Sequence, residues 1–184
     1  MPMRALIRGM ALALVSVGAF GCAGADTARP LPMAVGLKLP FVAQAGPHLC
    51  GVACMEMLTR CYGRPLGAMA LRDLKAEAEA TGGVSGASMK SALESAGYGV
   101  VVYPGTLDRG PAGLFRQVDL GLPVLVMTGA GPRHYCLVDG YDEGRSVIRL
   151  LDPAQGKVDM PFARFEAAWN LAGHFALLAA PLHG

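Results

Sequence analysis

Apolar positions along the chain repeat at one spacing before Gly97 and at another after it. From Cys50 to Tyr62, the residues Val52, Met55, Leu58 and Tyr62 fall on one side at three- and four-residue spacing. That spacing predicts a helix ended by Gly63. A second helix is expected over about Ala68 to Ala80, rich in Ala, Leu, Lys and Glu and ended by Gly82-Gly83. Ser88 can cap a third, running to Ala96 and stopped by Gly97. Beyond this point runs of Val, Ile, Leu and Tyr take over. Gly99 to Tyr103 reads as a strand, Ala112 to Leu120 as a short helix and Pro123 to Thr128 as a buried strand. His134 to Gly140 and Ser146 to Leu151 read as a hairpin around Asp142-Glu143-Gly144. Pro161 to Trp169 closes as a short helix and His174 to Ala180 as a final strand. Helices first and mostly antiparallel strands after predict an α+β domain, its N-terminal helices packed on the sheet.

The first residues follow another rule. Arg4 and Arg8 precede an uncharged apolar run from Met10 to Phe20, shorter than the roughly 20 residues that span a bilayer. This is the pattern of an export signal. Ala19-Phe20-Gly21-Cys22 resembles a bacterial lipoprotein cleavage site, so residues 1–22 are expected to be removed and Cys22 lipidated; cleavage after Ala25 is the alternative. Either route predicts an extracytoplasmic protein, on the periplasmic face of a bacterial membrane if lipidated, secreted or periplasmic if not. The lipid would be its only membrane attachment. Residues 23–38 read as a linker of small residues and prolines, and 39–184 as one domain beginning at Leu39-Pro40-Phe41-Val42.

Charge is sparse and balanced, 16 basic residues against 14 acidic. With no Lys/Arg stripe, nothing favours a nucleic-acid partner. A monomer acting on a peptide or protein is the expectation.

Candidate chemistry centres on Cys50. A thiol at a helix N-terminus feels the positive end of the helix dipole, which favours thiolate. An imidazole would complete an activated nucleophile and a carboxylate would orient that imidazole. The hairpin supplies both. With the turn centred on Glu143, Val138 faces Ile148, Cys136 faces Leu150 and His134 faces Asp152. All share one apolar, inward face, with directly opposed Cβ atoms about 4.5–5.5 Å apart. His134 Nδ1–H would then reach Asp152. Gln44, upstream of Cys50, can donate its side-chain NH₂ to an oxyanion, together with the Cys50 backbone N–H.

The same alternation sets Asp139 on the opposite face and Asp142 in the far turn. His48 has no scaffold to aim it, His174 no evident acid partner, and His183 lies beside the C-terminus. Cys54, Cys61 and Cys136 fall in apolar stretches that suit buried free thiols, though an exported protein permits one disulfide among them. Cys50, Cys54, His134 and Cys136 lack the C-x₂-C spacing of structural zinc sites, so no metal or cofactor is expected.

The segment Gln44-Ala45-Gly46-Pro47-His48-Leu49-Cys50-Gly51-Val52-Ala53-Cys54, closed by Tyr62-Gly63, resembles the active-site region of peptidase family C39. His134-Tyr135, Gly140-Tyr141-Asp142 and Asp152-Pro153 with Gly156 resemble its second half. The resemblance implies a papain-like cysteine peptidase fold, with Cys50 as nucleophile, His134 as general base and acid, Asp152 as orienting residue and Gln44 as oxyanion donor. Many members cut leader peptides after paired glycines. Val52 stands where the family often has Pro, and Cys136 where a branched aliphatic residue is usual, both expected to stay clear of the chemistry. The export signal makes the chain similar to the stand-alone, extracytoplasmic lipoproteins of that type, whose substrates need not be leaders. A Cys-dependent amidase or acyltransferase on the same fold, and a non-catalytic lipid-anchored binding or assembly factor, are the competing readings.

Overall fold

The change of spacing after Gly97 is a change of layer. In the computed structural model, which describes residues 31–129 and 133–182, the helices α1 (Cys50–Cys61), α2 (Ala68–Thr81) and α3 (Gly86–Ser95) come before most of the sheet. The strands are β1 (Ala34–Gly36), β2 (Tyr98–Pro104), β3 (Val124–Thr128), β4 (His134–Asp142), β5 (Val147–Asp152), β6 (Gly156–Pro161) and β7 (Phe175–Pro181). Two further helices, α4 (Leu114–Asp119) and α5 (Phe162–Asn170), are interleaved with them. The sheet runs β2-β7-β3-β4-β5-β6, with β1 added to β4, and its strand pairs are antiparallel. The export-signal features through Cys22 and Ala25, and also His183, lie outside the described residues.

Alternation along the strands divides the core in two. Leu125, Tyr135, Leu137, Leu151 and Leu177 pack with α1, α2 and α3. Val124, Val126, Cys136, Val138, Ile148 and Leu150 pack with α4 and α5. The apolar hairpin face expected from the sequence is therefore buried, but so is the opposite one.

Several boundaries differ from expectation. The third helix is capped by Ser85, whose Oγ accepts from Ser88 N at 3.0 Å, because Gly86 already has helical geometry. Gly156–Pro161, where no element was expected, forms β6, and Ala34–Gly36, inside the expected linker, pairs with β4. In the hairpin, Val138 opposes Leu150, two residues from the expected partner, and the ladder slips at Asp139 so that Gly140 opposes Arg149. The bulge accommodates a turn longer than assumed, with Ser146 at φ 53°. Among the described residues no helix is long and apolar enough to cross a membrane.

Candidate active site

Most of α1 is buried, and its first turn lies against the start of β4: a Cβ on Gly51 would sit 3.1 Å from the Tyr135 ring. That close approach lets the helix start reach His134, the first residue of β4. Leu49, at the N-cap, offers no side-chain cap, so first-turn N–H groups remain available to the sulfur.

Across the sheet, His134 Nε2 lies 2.9 Å from Asp152 Oδ1. The expected partners meet, but through Nε2 rather than Nδ1. Continuing the ladder one step past Leu137 and Leu151 sets Cys136, not His134, opposite Asp152. The imidazole reaches the carboxylate diagonally, so its far nitrogen makes the bond. Asp152 Oδ1 also accepts from Ala154 N at 2.7 Å and Gln155 N at 3.3 Å, and Oδ2 from Gln155 Nε2 at 3.0 Å. Burial alone would raise this carboxyl; the bonds from His134 and the 154–155 turn outweigh it and hold Asp152 below its ordinary value.

Electrostatics separate the thiols. Burial pushes the Cys54 thiol well up, raises Cys61 to about 11 and raises Cys136. Cys50 is the exception among the described cysteines. Burial works against its ionisation too, but bonding with the His134 ring, the N–H groups of Tyr135 and Gly51, and the imidazolium charge bring it below 9.0. His134 in turn is raised to about 11 by hydrogen bonding to Cys136 first and Cys50 second, against desolvation. Of the two thiols beside the ring, Cys136 is pushed toward its protonated form and Cys50 toward its thiolate. All four described cysteines are free thiols.

Cys136 is thus a correction: instead of lying clear of the site, its sulfur is within 4.8 Å of both a His134 ring nitrogen and an Asp152 oxygen. Alternation on β4 puts it on the His134 face, and the two-residue register difference brings it up to Asp152.

Gln44 joins the group through the backbone. Its N–H donates to Pro153 O at 2.9 Å, next to Asp152. Its Nε2 gives one N–H to Gly46 O at 3.0 Å, leaving the second available, while Oε1 is buried without a partner.

A cleft of about 380 Å³ opens beside Cys50. Gly82 to Gly86 form its first wall, and Arg133, Met127, Tyr135 and Phe175 also line it. The first wall is fixed by three bonds: Tyr135 Oη to Val84 O at 3.2 Å, Ser85 N to Glu77 Oε1 at 2.9 Å and Thr81 Oγ1 to Gly83 O at 2.7 Å. Tyr135 was missed as a site residue. Its place after the strand histidine, on the α1 face, is the signal that could have found it.

The remaining candidates separate as follows. His48, at φ 66°, lines the cleft, although it was expected to lack a scaffold. His174 does have an acid partner, Glu166 Oε1 at 2.8 Å, and both border a different cavity of about 510 Å³ away from Cys50. Asp139 is buried, with Lys157 Nζ 4.0 Å away, and Asp142 lies at the turn near Arg149.

Known proteins share this frame. Residues 38–181 match the sequence model of the Peptidase C39 family. The Lactococcin-G-processing and transport ATP-binding protein LagD of Lactococcus lactis subsp. lactis is 25% identical over 123 residues, which is 66% of this chain but 16% of that protein. A double glycine motif protease from an AMS/PCAT transporter, solved in complex with a leader peptide, superposes with a TM-score of 0.64 at 18% identity, covering 80% of this chain and 94% of that one. The peptidase domain of Streptococcus ComA gives 0.62 at 24%, covering 78% and 98%. A putative C39-like peptidase from Bacillus anthracis gives 0.59 at 18%, covering 80% and 97%.

Proposed function

The chain belongs to the Peptidase C39 family of cysteine peptidases, and from that premise we propose that Cys50, His134, Asp152 and Gln44 are its catalytic machinery. The observation carrying this is that the imidazole held at 2.9 Å by a buried carboxylate is also the side chain that lowers the pKa of one described thiol, Cys50.

Asp152 occupies Nε2, which leaves Nδ1 for the sulfur. The Cys50 thiolate attacks a peptide carbonyl carbon, and the negative charge moves to the carbonyl oxygen. The second Gln44 N–H and the Cys50 backbone N–H donate to that oxyanion; losing one such donor costs about 3–4 kcal/mol. As the tetrahedral adduct collapses, His134 passes its proton to the leaving amine and a thioester remains. His134 then takes a proton from water, the hydroxide attacks the thioester, and the C–S bond breaks to restore the thiolate.

The substrate proposed is an unstructured segment of an exported peptide or protein, entering the cleft beside Cys50. A structural relative crystallised with a leader peptide supports a peptide in this cleft. The basic and apolar run ending at Cys22 supports export and lipid anchoring. Cys22→Ala should move the protein from the membrane to the soluble fraction.

Cys50→Ala tests the assignment. The folded variant should lose turnover of an unstructured peptide library, and iodoacetamide should abolish wild-type turnover. Retained turnover in Cys50→Ala would end the proposal. Turnover of peptidoglycan fragments with none of peptides would move the same residues to an amidase.

A further inference from the structure

We propose that Cys136, His134 and Asp152 form an inhibitory site for a borderline-soft divalent cation, with zinc as the ion that fits. Binding is argued from donor geometry alone; inhibition rests on the role proposed above for His134.

One ligand atom from each of these residues lies within 4.8 Å of the other two. In a tetrahedral zinc site, bonds of about 2.0–2.3 Å place neighbouring ligand atoms about 3.4–3.6 Å apart. No spacing has to close by more than about 1.4 Å, and the 2.9 Å between His134 Nε2 and Asp152 Oδ1 has to open by about 0.5 Å. Thiolate, imidazole and carboxylate together suit zinc better than magnesium or calcium, and three protein ligands leave the fourth position to water.

The surroundings favour a bound ion. Asp152 is held by the N–H groups of Ala154 and Gln155 and by the Gln155 amide, as ligating carboxylates usually are. Cys136 is 2% exposed and faces Val126 across β3. An aliphatic side chain would fill that space, but only a thiol gives the His134–Asp152 pair a soft third donor.

Binding has a defined proton balance. The Cys136 S–H proton leaves to solvent as the Zn–S bond forms, and the ring nitrogen that binds releases any proton it carries to solvent and donates its lone pair to the metal. The 2.9 Å His134–Asp152 bond is replaced by bonds to the metal. An imidazole held this way no longer shuttles a proton to a leaving amine, so turnover stops until the ion is removed.

The test uses the full chain carrying Cys50→Ala, so that the nucleophile contributes no thiolate. Cobalt(II) should bind one ion per chain with thiolate-to-metal absorption in the near ultraviolet, and zinc should displace it. Adding Cys136→Val should remove that absorption and weaken zinc binding by about 100-fold or more. Asp152→Asn in the same background should weaken it too, which guards against a misfolded valine variant; near-ultraviolet circular dichroism checks folding in each. Equal cobalt absorption with and without Cys136, or none at millimolar cobalt, overturns the site. In wild-type protein, zinc should suppress turnover and a chelator should restore it; cobalt bound through Cys136 with turnover unaffected by zinc overturns the inhibitory role. Absence of turnover in metal-free wild type counts against the peptidase mechanism, and the cobalt titration still decides the site.

Discussion

Asp152 is where charge and geometry can be separated. Its Oδ1 accepts from His134 Nε2 at 2.9 Å, Ala154 N at 2.7 Å and Gln155 N at 3.3 Å, while Oδ2 accepts from Gln155 Nε2 at 3.0 Å. In Asp152→Asn the amide oxygen keeps the first three bonds, and Gln155 turns its own amide over to meet the new N–H. Only the charge is lost. A hydrogen bond to an ionised acceptor contributes about 1.5–3 kcal/mol and a neutral one about 0.5–1.5. The difference of about 1–1.5 kcal/mol lowers kcat/KM about 10-fold. Asp152→Ala removes the acceptor as well. An unfixed ring adds about 100-fold more, for a total near 10³. Two backbone N–H groups also lose their partner at a site where Asp152 is 5% exposed, which costs about 1–3 kcal/mol each. The assay is kcat/KM on a fluorogenic peptide, with thermal unfolding alongside. Asn should fall modestly below wild type in Tm and in rate, and Ala well below in both. Indistinguishable Asn and Ala variants, or Ala within 10-fold of wild type, would refute the orienting role.

Alkylation of Cys50 by iodoacetamide should rise with a midpoint below pH 9.0 in wild type and shift upward in His134→Ala, since the imidazole opposes the burial that raises the thiol; an unshifted midpoint breaks the link between the two residues. The Asp152 carboxyl, held below 3.8, contributes stability that is present above that pH and disappears as pH falls through its folded value. Acid unfolding of Asp152→Asn should lack that component, and identical acid profiles would contradict it. Gly86→Ala places a Cβ 2.8 Å from Phe175 Cε2, so the ring must move at the cleft wall; KM should rise with kcat retained, and the overpacking costs about 1–3 kcal/mol, so unchanged KM and Tm would show that the wall is soft. Ser85→Ala removes the α3 cap and should cost about 1 kcal/mol, read as a Tm drop of about 2–4 °C; an unchanged Tm would mean that the Glu77 bond to Ser85 N alone holds the loop.

The helices were legible because their ends are written in glycine. Gly63, Gly82 and Gly97 take φ of 66°, 80° and 83°, where other residues are strained. β6 was not legible, since its exposed positions carry Lys157 and Asp159 at the sheet edge and Gly156 reads as a turn. β1 has three residues paired only with β4, too few for any period to register. Both are cases in which the partner strand, and not the segment's own pattern, makes the strand.

The site was legible for a narrower reason. The assumed hairpin register differs from the true one by two residues beside the active centre, and a shift of two leaves every side chain on the same face. His134 and Asp152 therefore still meet. A shift of one would have turned Asp152 away, and the bulge at Asp139 absorbs that odd residue farther along, where Gly140 meets Arg149. What the assumed pairing could not supply was the finer geometry. With Asp152 opposite Cys136, the ring reaches along the strand and meets the carboxylate through Nε2, which leaves Nδ1 for the sulfur in the mechanism proposed. The same displacement puts a second thiol directly across from the carboxylate, as no pattern of apolar and polar letters could have indicated, because cysteine counts as apolar in that pattern. The use of Nε2 toward Asp152 and the extra donor beside the histidine thus have one structural origin.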